Sequence, residues 1–230
     1  MIYILPSLTI ALLGRFCIPG RKVTAQCFLP GRICMLLCLS AGWGLVNPTP
    51  PVGAGKTLIL FCIIKSLAFG ILMLATLLDM ENCRIERIVW GVFLLVTPGI
   101  ILYLCKIRFR SAWGVVWQWI LFVLLQYLLF ARMYGLADCH AFCSCAVLLA
   151  ASGRGITSML VHMLCSIVLL GLVQWAKGNV NKRGNLKEPV AFIPYITVAF
   201  LVVYGLRDFV VCGLWNYAVN GLWRAFVLRL

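Results

Sequence analysis

The apolar residues of this chain come in runs long enough to cross a bilayer as helices. They fall at about 1–14, 31–46, 57–78, 88–104, 113–131, 139–152, 156–176 and 189–206, with short polar breaks between them. A helical crossing needs roughly 17–25 predominantly apolar residues. The runs at 1–14, 31–46 and 139–152 fall short of this, and they fit tilted, re-entrant or incomplete crossings. A soluble domain of 230 residues would need a polar skin, which 11% charged residues cannot supply when 63% are hydrophobic. The expected fold class is therefore all-α: a polytopic integral membrane helical bundle of about six to eight segments. It forms one membrane domain over 1–230, least sharply delimited in its N-terminal segments, 1–56.

The net charge of +14 lies in clusters between the apolar runs, as loop charges that orient helices do. No basic stripe with interleaved aromatics is present, so nucleic acid is not an expected partner. Alternate threading puts the breaks at 15–30, 79–87, 132–138 and 177–188 on one side, with eleven basic residues, counting Arg32 just beyond the first break, against six on the other. That excess marks the first side as cytoplasmic, although Lys106, Arg108 and Arg110 pull the other way. Asp79 and Asp138 share a side in either orientation.

Twelve cysteines would imply a disulfide framework in a small secreted protein. Here most lie inside apolar runs (Cys34, Cys38, Cys62, Cys165), where a free thiol packs as a small hydrophobe. No CxxC pair occurs, which argues against a zinc ribbon or a redox dithiol. Met1 to Phe16 lacks a basic n-region and an A-x-A site, and reads as a retained helix. The tail, 209–230, with Trp215, Tyr217, Trp223, Arg224 and Arg229, suits an interfacial helix or the end of the last crossing.

Only six acidic residues occur, and two of them, Asp79 and Asp138, stand where an apolar run meets a polar break. A carboxylate at a bilayer boundary is costly and usually functional. Each also has a plainer reading: Asp79 as a solvated loop acid after the run 57–78, Asp138 as the N-cap of the run that follows it. Together they offer two carboxyl groups able to approach one water, which is what acid–base hydrolysis requires. Two such groups share a proton, so that one member activates water while the other polarises a carbonyl. The residues do not distinguish which is the base.

Other patterns carry less. Gly53-Ala-Gly-Lys-Thr57 resembles the end of a phosphate-binding loop, but Pro50 stands where its leading glycine belongs. Cys139, His140, Cys143 and Cys145 could suggest a soft-metal site, yet His140 points about 100° from the face shared by Cys139 and Cys143, so packing is the better reading. His162, alone in an apolar run, reads as a hydrogen-bonded interior residue. Lys65 lies mid-run, where facing lipid would cost about 2.5–3.5 kcal/mol, so it should face the bundle interior or snorkel.

Asp79-Met-Glu-Asn-Cys-Arg-Ile-Glu-Arg-Ile-Val resembles the first aspartate motif of the type IV prepilin (leader) peptidases. Gly135-Leu-Ala-Asp138-Cys-His-Ala-Phe is similar to the second, the G-x-G-D or G-x-A-D of the GxGD-type membrane aspartyl proteases. Lys187-Glu-Pro-Val-Ala-Phe-Ile-Pro-Tyr resembles the family's late segment, which enters the final helix. The likeness covers about 70–206, with the three motifs in the family's order. Departures are Ile85-Glu86-Arg87 in place of Ile-Pro-Asn, Ala137 in place of the second glycine, and His140 where a lysine often stands. The family's two CxxC pairs, which accompany N-methyltransferase activity in its larger members, have no counterpart.

The resemblance implies a peptidase-only form: an aspartic endopeptidase, with Asp79 and Asp138 as catalytic dyad and no metal or organic cofactor. It would be multi-pass in a bacterial or archaeal cytoplasmic membrane, with the lipid bilayer and a type IV pilin-like precursor as partners. The competing classes are a catalytically degenerate membrane scaffold and a small proton-coupled transporter, in which the two acids would be relay groups. Segment-end placement of both acids favours the protease.

Overall fold

The computed structural model describes residues 4–17, 30–47, 55–82, 85, 87–107, 109–180 and 190–206. Among these every regular element is helical: α1 Ile4–Cys17, α2 Pro30–Val46, α3 Lys56–Asn82, α4 Arg87–Ile107, α5 Phe109–Leu125, a π-helical turn Gln126–Phe130, α6 Ala131–Tyr134, α7 Leu136–Ala151, α8 Ile156–Val180 and α9 Ile193–Gly205. Three stretches are long and apolar enough to cross a membrane: Lys56–Glu81, Trp113–Tyr134 and Ile156–Ala176, of 26, 22 and 21 residues. Such helices are those of a membrane protein. The other apolar helices are shorter. The tail from 209 onward lies outside the described residues.

The apolar runs became helices with small but informative differences. The run 57–78 continues as α3 through Asn82, because Met80 and Glu81 are good helix formers even though hydrophobicity has ended. Asp79 is therefore a helical residue rather than the loop acid of the plainer reading. The run 113–131 is carried by α5, the π-helical turn and α6, which together reach Tyr134.

α3 is the central strut, packed against α1, α2, α4, α7 and α9. Its contact with α1 is very close at Gly70, where a Cβ would stand 2.7 Å from the Ser7 carbonyl oxygen. Small residues let membrane helices approach in this way. On the α2 and α9 sides, Trp43 stacks on Phe69 at 4.5 Å, and Phe200 lies 6.0 Å from both rings.

The described ends of α2, α7 and α9 gather into two groups along α3, as alternating order expects. At one end, Arg32 of α2 pairs with Glu81 of α3 at 3.5 Å; Asp79, Tyr134, Asp138 and the start of α9 lie at this end as well. At the other, Asn47, Lys65, Ser152, Arg154 and Tyr204 form a polar layer. Lys65 donates to Asn47 Oδ1 at 3.0 Å and to the Tyr204 hydroxyl at 2.8 Å. Ser152 donates to Tyr204 at 2.6 Å, and Arg154 donates to the Val203 and Tyr204 carbonyls at 2.6 and 2.8 Å. Lys65 thus faces the interior, with one partner just past the end of α2 and the other in α9.

Candidate active site

Asp79 occupies the last turn of α3, only 7% exposed. Its Oδ2 accepts the backbone N–H of Ile193 at 3.0 Å, and the Phe192 N–H also faces it. Ile193 is the first residue of α9, with Pro194 behind it. Proline suits a helix start because its missing N–H has no helical partner there. The remaining N–H groups of that turn point outward with the positive end of the helix dipole, and a carboxylate is a natural ligand for them.

One turn into each helix, Thr76 and Thr197 meet at 2.7 Å between hydroxyls. His162 Nε2 donates to the Ile196 carbonyl at 2.9 Å, the hydrogen-bonded interior role expected of it. These contacts fix how α9 sits on α3 and α8, and so where its N-terminus meets Asp79.

Asp138 stands in the first turn of α7, outside the three membrane-length stretches, and is half-buried. It is not the N-cap: Gly135 holds that position, and no side-chain cap bond is made. Gly135 has φ +103° and ψ 160°, a region essentially reserved for glycine. The motif's first glycine is therefore needed by the backbone that turns the chain from α6 into α7. Ala137, at the place of the second glycine, is inside the helix and needs no such freedom.

Burial, and then the negative charge of Asp79, push the Asp138 carboxyl up to about 7. The two acids are thus close enough to influence one another, brought together by the packing of α7 on α3 and α9. Beside them Tyr134, Phe142 and Phe192 form an aromatic wall, with ring centroids 5.4, 5.8 and 6.1 Å apart. Its low polarity disfavours two separate charges, so a single shared proton is the expected state near neutrality. Such a pair holds one group able to take a proton and one able to give it.

Residues that sequence reasoning did not single out complete the surroundings. Gln126, buried in the π-helical turn, accepts from the Tyr134 hydroxyl through Oε1 and reaches Met163 Sδ at 3.3 Å through Nε2. His140 is hydrogen-bonded to Tyr127, and Cys139 donates to the Gln126 carbonyl at 3.5 Å. Cys139 and His140 are thus each engaged with the π-helical turn that follows α5. Two signals were available: a glutamine inside an apolar run, and Pro194 marking a helix start. The motif residues Lys187 to Pro189 lie outside the described residues; Phe192, Ile193 and Pro194 are the part seen at the site.

No protein-family model, curated protein or solved structure matches this chain.

Proposed function

We propose that this chain is a membrane aspartic endopeptidase that removes the leader peptide from type IV pilin-like precursors at the cytoplasmic face of the membrane. The observation that carries the reading is the placement of Asp79 in the last turn of α3 and Asp138 in the first turn of α7, two helices packed together. The G-x-A-D and P-rich motifs support it, since Gly135 and Ile193 each have a physical task beside one of the acids. The bundle would cross a bacterial or archaeal cytoplasmic membrane six to eight times, the shorter helices as tilted or partial crossings.

The chemistry follows from the site's place at helix ends. A precursor whose hydrophobic N-terminal helix lies in the bilayer leaves its scissile bond at the water–lipid boundary. An extended peptide can meet the dyad there without drawing a basic leader into lipid. The ionised carboxyl takes a proton from water as its oxygen attacks the carbonyl, and the protonated one donates to the carbonyl oxygen.

The protein reconstituted in lipid with a candidate precursor provides the test. Asp79→Asn and Asp138→Asn keep shape while removing the acid, and each should abolish cleavage. Full activity in either ends the proposal. A transporter reading draws on the buried Lys65 layer, about 21 Å from Asp79 along α3 at 1.5 Å per residue, since an ionisable group inside a membrane helix often marks an ion path. Proton-coupled uptake lost on neutralising Lys65, with no cleavage by the unaltered protein, would favour it.

A further inference from the structure

The two carboxyl groups differ in what holds them. Asp79 Oδ2 receives the Ile193 N–H directly, at the positive end of the 13-residue helix α9. Asp138 also sits near a helix start, where the dipole of α7 favours its charge. Yet among the described residues no N–H or O–H donor bonds to its carboxyl. A carboxylate that accepts backbone N–H groups has its charged form stabilised specifically, because the carboxylate accepts more strongly than the acid. A half-buried carboxyl beside that charge, with no donor of its own, is the one that keeps a proton.

We propose that Asp79 is the member of the pair that remains ionised, held so by the backbone N–H of Ile193 at the start of α9, and that Asp138 carries the proton. The catalytic roles rest on the peptidase reading; the charge assignment does not. With that reading, Asp79 takes a proton from water as the water oxygen bonds to the scissile carbonyl carbon, and Asp138 gives its proton to the carbonyl oxygen. Collapse of the resulting diol breaks the C–N bond. The leaving nitrogen takes the proton from Asp79, Asp138 recovers one from a diol hydroxyl, and both groups return to their starting states. Ile193 is a positioning residue: it acts on the charge of Asp79 and touches no substrate atom.

Among the described residues, the other ionisable groups on the packed elements do not reverse the asymmetry. Tyr134 and Cys139 lie near Asp138 and bring no positive charge. Glu81 is paired with Arg32, His140 is turned to Tyr127, and Arg87 of α4 and Arg132 of α6 are exposed. α9 contributes Tyr195 and Tyr204, the latter in the opposite polar layer.

The chain has three aspartates, Asp79, Asp138 and Asp208, so the full protein in lipid nanodiscs, labelled with carboxyl-¹³C aspartate, offers three resolvable signals. Asp79→Asn, Asp138→Asn and Asp208→Asn assign them. At pH 7 the Asp79 signal should stand at its ionised position while Asp138 is still titrating, and in Asp79→Asn the Asp138 midpoint should fall by at least one pH unit. Replacing the amide at 193 by an ester deletes the N–H and keeps the side chain. It should raise the Asp79 midpoint by about one pH unit, whereas the same change at Ile196, whose N–H bonds to Phe192 O within the helix, should leave it in place. A protonated Asp79 beside an ionised Asp138 at pH 7 overturns the assignment, and so does an ester at 193 that leaves Asp79 unmoved. If the ester variant does not fold, the unaltered protein and Asp79→Asn decide alone. None of these readings requires cleavage, so an inactive protein with these titrations would sink the peptidase reading and leave the assignment standing.

Discussion

The hydroxyl of Thr76 meets that of Thr197 at 2.7 Å, one turn below the place where Asp79 takes the N–H of Ile193. Each hydroxyl also reaches the carbonyl four residues earlier, Leu72 at 2.9 Å and Ile193 at 3.0 Å. Two hydrogens cannot serve three acceptor contacts at once. One threonine therefore bonds its own helix, and the other donates across the interface. Thr76→Val and Thr197→Val should each destabilise modestly, with a coupling of about 0.6 kcal/mol in a double-mutant cycle, the usual scale for such bonds between membrane helices. Unfolding in detergent micelles measures it; strict additivity would mean that the contact contributes nothing.

Gly135→Ala should damage the site more than the fold. The added Cβ would meet only Asp138 Oδ2, at an ordinary 3.7 Å, so the cost comes from φ +103° and is about 1–3 kcal/mol. The strain is relieved by moving the start of α7, which carries Asp138. Leader cleavage should fall at least tenfold while most of the protein stays folded. Ala137→Gly, which recreates the G-x-G-D form, should lose stability by up to about 0.5–1 kcal/mol, since a helical glycine gives up more backbone freedom than alanine. Cleavage rates and melting curves of the two variants check the contrast.

Much of this was legible in the residues. The apolar runs overlap the described helices, because in an apolar medium a helix satisfies the backbone of each run internally. The pairing of Asp79 with Asp138 on one side followed from alternation alone. What could not be read was that Asp79 lies inside α3, since hydrophobicity stops at Leu78 while the helix continues. Nor was the Ile193 N–H legible: a backbone donor has no residue type, and only Pro194 hinted at a helix start. The partners of Lys65, Asn47 and Tyr204, stand 18 and 139 residues away in sequence, beyond the reach of any local pattern.

The shift of Asp138 to about 7, from burial and the charge of Asp79, gives a sign to the pH dependence. In the unfolded chain this carboxyl ionises near 4. Between roughly pH 4 and 7 the folded protein therefore binds more protons than the unfolded one, and stability falls as pH rises through that window. Above it the contribution is flat. Cleavage should follow the same group, with its alkaline limb centred near 7 as Asp138 loses the proton it donates. Rates from pH 5 to 9 in lipid, beside melting temperatures over the same range, check both; activity still rising past pH 8 would contradict the role given to Asp138.

Gly70→Ala tests the close approach of α1 to α3. Its Cβ would stand 2.7 Å from Ser7 O and 3.0 Å from both Ser7 Cα and Ile10 Cβ. Backbone atoms cannot swing aside as a side chain can, so the whole of α1 must shift. The expected loss is about 1–3 kcal/mol, as for other overpacked contacts. The close contact at Gly70 lies nine residues, about 13.5 Å at 1.5 Å per residue, before Asp79 along α3, so cleavage per folded molecule should fall less than stability does. Thermal unfolding and cleavage in the same preparation separate the two effects.

Lys65 supplies the sharpest separation between stability and activity. Its ammonium is buried, 7% exposed, and bonded to two neutral oxygens, Asn47 Oδ1 and the Tyr204 hydroxyl. Those oxygens also bond to each other, with Tyr204 donating to Asn47 at 2.9 Å. Lys65→Met removes the charge and fills similar volume, leaving Asn47 and Tyr204 still paired, so stability should change by less than about 1 kcal/mol. Asn47→Leu leaves the ammonium in place and takes away one of its oxygens. It should cost about 1–3 kcal/mol or more, because a buried donor left short of a partner bears its desolvation penalty. Lys65 lies about 21 Å along α3 from Asp79 at 1.5 Å per residue, so Lys65→Met should process a precursor at an unaltered rate. Loss of cleavage in a folded Lys65→Met protein would show that the far polar layer takes part in the chemistry, and would move the balance toward an ion path through α3.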